Sequence, residues 1–258
     1  MSRLLKVLSF ALAVIAIGML AASCGSGNAQ YRVVNAIPNT SSISTYFDIQ
    51  MNGSTLNTGG MTFEATFPGP QNRYQSVSSG ADTLGVFEAG QAGQSGAIPL
   101  ISSALNLAGG TQYTVILSGN QTSTYPLVAH VITDTNPTPT SGDVGIRVLD
   151  ASLSLASIGS VDVYALPSIN TCCTLGTGQV ASGLQYPQSS GTGGSIDSGY
   201  QNIGLASNLT VWVTAHGNTS EILYHSTISS LTAGQNYTLV LVDTAPGGSP
   251  PQTLFLTP

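Results

Sequence analysis

Eleven residues near the C-terminus, "LTAGQNYTLVL" (231–241), repeat a phrase already used at 107–117, "LAGGTQYTVIL". Leu, Gly, Tyr, Thr and the final Leu keep their offsets, and what surrounds the phrase is repeated too. "YRVVNA" (31–36) answers "IRVLDA" (146–151), and "YFDIQ" (46–50) answers "SVDVY" (160–164), which superposes Asp48 on Asp162. "RYQSV…LGVFEAG" (73–90) answers "GYQNI…TVWVTAHG" (199–217), and "LVAHVIT" (127–133) has a weaker counterpart in "QTLFLT" (252–257). The order is the same in both copies. Between them "DTNPTPTSGD" (134–143) reads as an extended, semi-rigid linker. The expected repeats are therefore 31–133 and 144–258.

Within each copy the apolar residues alternate. Phe47, Ile49 and Met51 alternate with Asp48 and Gln50; Val161, Val163 and Ala165 share one face; Val211, Val213 and Ala215 lie opposite Thr210, Trp212 and Thr214. Period two is the signature of a half-buried strand. β-branched residues and Tyr are frequent while Glu, Lys and Arg are scarce, so long helices are not expected. Seven or eight short strands in a copy of roughly 110 residues suit an antiparallel sandwich. Leu-x-x-Gly-x-x-Tyr-Thr then has a role. It is the usual spelling of a tyrosine corner, in which Gly turns the chain and the Tyr hydroxyl reaches back to upstream backbone. Two residues after each Tyr stand Val115 and Leu239, where an immunoglobulin domain carries a core cysteine. The fold predicted is all-β: two tandem immunoglobulin-like antiparallel β-sandwiches after an N-terminal signal helix. One larger sandwich or barrel with pseudo-symmetric halves is the competing arrangement.

"RVVNAIPN" (32–39), "FDIQMNG" (47–53) and the corner phrase resemble the bacterial domain of unknown function 4397. The resemblance covers essentially everything after residue 30, as two tandem copies. It implies β-sandwich domains on envelope lipoproteins and no established activity. Members commonly carry His where Asn35 and Asp150 stand here, so any ligand role of that His does not transfer to this chain.

The N-terminus gives an address. "MSRLLKVLSFALAVIAIGMLAASCGSG" has a short basic stretch, an apolar run from Val7 to Leu20, and then small residues. That order is a secretory signal, although the run counted from Leu4 is nearly long enough for a transmembrane anchor. Cys24, after "LAAS" and before "GSG", resembles the lipidated cysteine of a bacterial lipobox, with Ala21 where Leu is usual. The expected division is a signal peptide at 1–23, lipidation at Cys24, and a tether at 24–30. Plain secretion and an uncleaved anchor are the alternatives. Gly25, rather than Asp, resembles the outer-membrane sorting signal of a host with two membranes. The localisation predicted is the cell envelope, lipid-anchored, and the outer membrane if the host is Gram-negative.

Charge narrows the partners. Only 6% of the 258 residues are charged and the net charge is −6. Beyond the signal segment Arg32, Arg73 and Arg147 are the only strong bases, so there is no basic patch to neutralise phosphates and no nucleic acid is expected as partner. The expected partners are the membrane, through Cys24, and an envelope protein or polysaccharide.

Residues with chemistry in them are few. His130, His216 and His225 have no metal-type spacing, and His130 and His216 read as solvent-facing or turn residues. "GQSGA" (93–97) lacks the second Gly and the strand-to-helix context of a nucleophile elbow, and "GTGQVA" (176–181) lacks the βαβ unit of a dinucleotide turn. Asp48 and Asp162 read as solvated or edge-protecting charges, with Ca²⁺ binding as the sharper alternative. Cys172 and Cys173 are adjacent; they are candidates for a vicinal disulfide, with free thiols as the alternative. They lie in what reads as a long loop, 168–198, inserted in the second copy. No catalytic residue, metal or cofactor is expected. The role predicted is a non-enzymatic binding or structural module. Glycan binding is the rival, favoured if Trp212, Tyr164 and Tyr200 share one exposed face and disfavoured if they are buried.

Overall fold

Alternating residues become strands almost throughout the computed structural model, which describes residues 27–38, 46–57, 59–69, 74–122, 124–167, 171–186, 195–205, 208–244 and 248–256. The first half contains β1 (Asn28–Asn35), β2 (Phe47–Met51), β3 (Ser54–Thr55), β4 (Thr66–Phe67), β5 (Gln75–Ser78), β6 (Gly80–Glu88), β7 (Ile101–Leu107), β8 (Gln112–Ser118) and β9 (Val128–Asp134). The second contains β10 (Asp143–Asp150), a single turn of helix α1 (Leu153–Ala156), β11 (Val161–Pro167), β12 (Gln179–Leu184) and β13 (Gln201–Gly204). It continues through β14 (Asn208–Ala215), β15 (Asn218–Ser229), β16 (Asn236–Thr244) and β17 (Gly248–Leu256). The chain is all-β.

Each half folds two sheets over its own core. In the first, sheet β4-β1-β8-β9, with β5 also on β1, faces sheet β3-β2-β6-β7. Phe47, Ile49, Leu84 and Val86 from one sheet meet Tyr31, Val33, Val115 and Leu117 from the other. In the second, β13-β10-β16-β17 faces β12-β11-β14-β15, and Ile146, Val148 and Leu239 meet Val161, Val163 and Val213. These are β-sandwiches, but not purely antiparallel ones. β1 pairs with β8 in parallel, Tyr31 beside Tyr113, and β10 pairs with β16 in parallel, Ile146 beside Tyr237. The parallel pair is possible because each copy's first strand joins the sheet beside its own penultimate strand, far away in sequence.

The repeated phrase does the same thing twice. Gly110 and Gly234 turn the chain at φ +73° and +77°, backbone that side chains with a Cβ rarely adopt. The Tyr113 hydroxyl accepts the Ala108 N–H at 2.9 Å, and the Tyr237 hydroxyl accepts the Thr232 N–H at 2.8 Å. Val115 and Leu239 are fully buried two residues later. Tyr237→Phe leaves the Thr232 N–H without its acceptor and is expected to cost about 1–3 kcal/mol, read as a lowered denaturation midpoint. Tyr113→Phe should behave alike, and unchanged midpoints for both would refute the corner.

Three boundaries differ from the sequence reading. β1 begins at Asn28 rather than after the 24–30 tether, because Asn28, Ala29 and Gln30 pair with Ser78, Val77 and Ser76 of β5. Asp134 and Asp143 belong to β9 and β10, so the linker is shorter than 134–143. The stretch 168–198 contains β12, whose Val180, Ala181 and Leu184 complete the second core. The signal segment 1–23 and Cys24 lie outside the described residues.

The linker is also not the only connection between the halves. The outward faces of β1, β8 and β9 carry Val34, Ile116 and Ile132, and these form a third core with Leu149, Val240 and Leu256 from β10, β16 and β17 and with Ala151 just after β10. Strand residues alternate between two faces, and here both faces of the two parallel-paired sheets are apolar. The halves are stacked sheet against sheet.

Candidate functional site

Both arginines that the first strand of each copy supplies are consumed inside this stack. Arg32 and Arg147 are 2% and 1% exposed, at equivalent places in "YRVV" and "IRVL". Asp134, at the end of β9, serves both: its carboxylate meets Arg147 Nη2 directly and lies 3.9 Å from Arg32 Nη2. Thr114 accepts from Arg32 Nε at 2.8 Å and donates to Asp134 at 2.6 Å, and the Tyr74 hydroxyl donates to the same carboxylate at 2.8 Å. Each guanidinium is capped by an aromatic ring at 4.9 Å, Arg32 by Tyr74 and Arg147 by Tyr200. These two arginines, which composition alone counts as bases available to a partner, are structural.

Next to this network a polar relay crosses between the halves. His130 Nε2 lies 3.0 Å from the Ser118 hydroxyl, which lies 2.9 Å from the Tyr186 hydroxyl. His130 is thus not solvent-facing as the sequence suggested; burial pushes its pKa down to about 4, so the ring is neutral. Ser118 is fully buried and presents no nucleophile to solvent.

Beyond Tyr186, Asp150 accepts the Ser152 N–H at 3.0 Å, as Asn35 accepts the Ile37 N–H at 3.1 Å in the first copy. Burial pushes Asp150 up to about 7; the Ser152 and Tyr186 amides pull against this and Asp243 adds to it. Asp243 caps α1, accepting from Leu153 N at 3.1 Å and Ser154 N at 3.0 Å. A carboxyl with a raised folded pKa holds its proton more tightly folded than unfolded, so its contribution to stability falls as pH rises from about 4 toward 7. Asp150→Asn is expected to flatten the stability–pH curve over that window. Denaturation midpoints taken from pH 4 to 8 check this, and an unchanged slope would refute it.

The repeated aspartates are buried, not solvated charges. Asp48 accepts the Gly90 N–H at 2.6 Å, and Asp162 accepts the Gly217 N–H at 2.9 Å, so each ties the same hairpin end to its sheet. Asp162 also takes Gly183 N at 2.9 Å and His216 Nδ1 at 2.7 Å. Burial alone would raise its pKa, but these hydrogen bonds outweigh it and lower the value. Among the described residues no group of three or more His, Cys, Asp or Glu side chains gathers as metal ligands would.

The aromatic residues do not form one exposed platform, so sugar stacking on these three residues is disfavoured. Tyr164 and Trp212 are cross-strand neighbours, but Tyr164 is fully buried. Trp212 is half-buried and packs on His225 at 4.8 Å, while Tyr200 covers Arg147 elsewhere.

The edge built by the insertion carries an open groove. Cys172 and Cys173, their sulfurs in bonding contact, lead into residues 174–178 and then β12. β12 is the edge of one sheet and β13 the edge of the other, and a groove runs between them. It has two chambers of about 400 and 440 Å³ that share Gly176, Gln179 and Gln201. In the first half this edge has only the two-residue β3; Leu56 and Met61 pack into the core beside it, and a cavity of about 550 Å³ lined by Asp48, Thr55 and Asn57 lies next to it. The sequence signal was the length of 168–198; the strand inside it was hidden by its glycines.

The profile of a family described only as a domain of unknown function, DUF4397, matches residues 29–164, more than half of the chain. The chain belongs to this family. The match to DUF4397 is one stretch, running through the first sandwich, the linker, β10 and most of β11, and it does not separate into the two copies seen in the sequence. No curated protein matches. Among solved structures, streptococcal family 41 carbohydrate-binding modules that recognise alpha-glucan are 11% identical, with 84% of this chain and 94% of theirs covered at a TM-score of 0.27. A putative cell adhesion protein from Bacteroides fragilis is 9% identical over 90% of this chain and 98% of that one, at a TM-score of 0.22. Likenesses this distant bear on neither fold nor activity.

Proposed function

We propose that this DUF4397 protein is a lipid-anchored module of the bacterial cell envelope that acts through structure and binding, not catalysis. The observation that carries the non-catalytic part is how its ionisable side chains are used. Arg32 and Arg147 share Asp134 between the sandwiches, Asp48 and Asp162 hold hairpin ends, and Asp243 caps a helix. A catalytic set needs a nucleophile or base facing a place for substrate. These groups face the fold.

The envelope part rests on Cys24 and the apolar run before it. One acyl chain binds a bilayer only marginally, at about 0.8 kcal/mol per CH₂, and a bacterial lipoprotein cysteine carries two or three. Between Cys24 and β1 stand only Gly25, Ser26 and Gly27, so the anchored body sits within roughly 15 Å of the lipid surface at about 3.5 Å per residue. Cys24→Ala is expected to move the protein from membrane to soluble fractions, and mass spectrometry of the wild type to find an acylated N-terminal cysteine. A wild-type chain in the soluble fraction, with an unmodified N-terminus at or beyond Gly25, would refute the anchor.

A further inference from the structure

The groove between β12 and β13 has the chemistry of a site for an uncharged, hydroxyl-rich chain, and we propose that it binds a neutral polysaccharide strand. This goes beyond the envelope role above and holds whether or not Cys24 is acylated. Its two chambers, about 400 and 440 Å³, each fall in the size range of small-ligand sites. They meet at Gly176, Gln179 and Gln201, so an occupant that fills both is extended.

At that junction the side-chain amides of Gln179 and Gln201 make no hydrogen bond to any described residue, while most polar groups around them are already paired. An amide offers two donors and a carbonyl acceptor, and a sugar hydroxyl is itself donor and acceptor. Charge selects against anionic ligands. Among the described residues Asp197 is the one ionisable side chain lining the groove, and its carboxylate accepts the Gly199 N–H at 2.8 Å and lies 3.9 Å from Arg147 Nε. Leu166 and Pro167 supply apolar wall for the C–H faces of the rings.

A peptide strand adding to the sheet fits less well. The pairing of β12 with β11 shifts register twice within four residues, and Gly183 has φ +67°. The outer edge therefore does not present an even series of N–H and C=O groups, which strand addition requires. β13 offers only four residues.

The test uses the full-length chain in a detergent without a sugar headgroup, with calorimetry against maltohexaose, cellohexaose and dextran, and with polygalacturonate and an extended Thr/Val heptapeptide as contrasts. At least one neutral probe should bind, and the Gln179→Ala/Gln201→Ala double variant should weaken it about tenfold or more with an unchanged melting temperature. Polygalacturonate and the peptide should bind no better than buffer controls. No binding of any neutral probe, binding that the double variant leaves intact, or preference for the polyanion or the peptide would overturn the assignment. Fractionation of the Cys24→Ala variant tests the envelope reading separately.

Discussion

Asp134→Ala is expected to cost about 3–5 kcal/mol, the usual penalty for removing one partner of a fully buried ion pair. The reason is specific to this stack. Asp134 is the carboxylate between two guanidiniums that are almost completely removed from water, one from each sandwich. Without it Arg147 keeps the Thr133 carbonyl at 3.3 Å, the half-buried Asp197 at 3.9 Å and the Tyr200 ring but loses its close carboxylate, and the Tyr74 and Thr114 hydroxyls lose their acceptor. Chemical denaturation followed by the midpoint and its slope reads the effect. Replacing Arg32, Asp134 and Arg147 together by apolar side chains of similar volume should cost far less, because desolvated charge is then absent rather than unpaired. If Asp134→Ala costs no more than an exposed salt bridge, about 1 kcal/mol or less, the network does not fasten the halves.

Ile116→Ala should cost about 2–5 kcal/mol, the range for truncating a buried aliphatic side chain when the cavity only partly collapses. Ile116 is fully buried, yet it faces away from the first core. It packs with Val34 and Ile132 of its own half and with Leu149, Val240 and Leu256 of the other. The expected signature is therefore a lowered midpoint for the whole chain. Proteolysis near equilibrium should report both halves weakened together. Loss confined to 28–134, with the second sandwich at its original midpoint, would mean that the third core couples nothing.

Strand existence, the repeat and the corner were legible in the sequence because each has a local signature: period-two alternation in "FDIQM" and "VDVYA", and Gly at the turn before Tyr113 and Tyr237. The stacking of the halves was legible only in retrospect. "RVV" and "RVL" place apolar residues on both faces of β1 and β10, which signals a strand buried on both sides. That pattern says nothing about what covers the second face, and the proline-rich linker invited the picture of separate domains. Asp48 and Asp162 misled for a related reason. An Asp in an alternating strand reads as solvent-facing, and its acceptance of the Gly90 or Gly217 amide depends on a hairpin about forty or more residues away. β12 was missed because "GQVASGL" mixes core residues with glycines that depress strand propensity.

Two sandwiches, each spelled by its own copy of one phrase, are fastened into a single body by the third core and the Arg32–Asp134–Arg147 network. Scanning calorimetry of the full-length chain tests it most directly. One transition, with a van't Hoff enthalpy equal to the calorimetric enthalpy, is the predicted result. Two resolved transitions, each matching one sandwich and neither shifted by Asp134→Ala in the other, would contradict it.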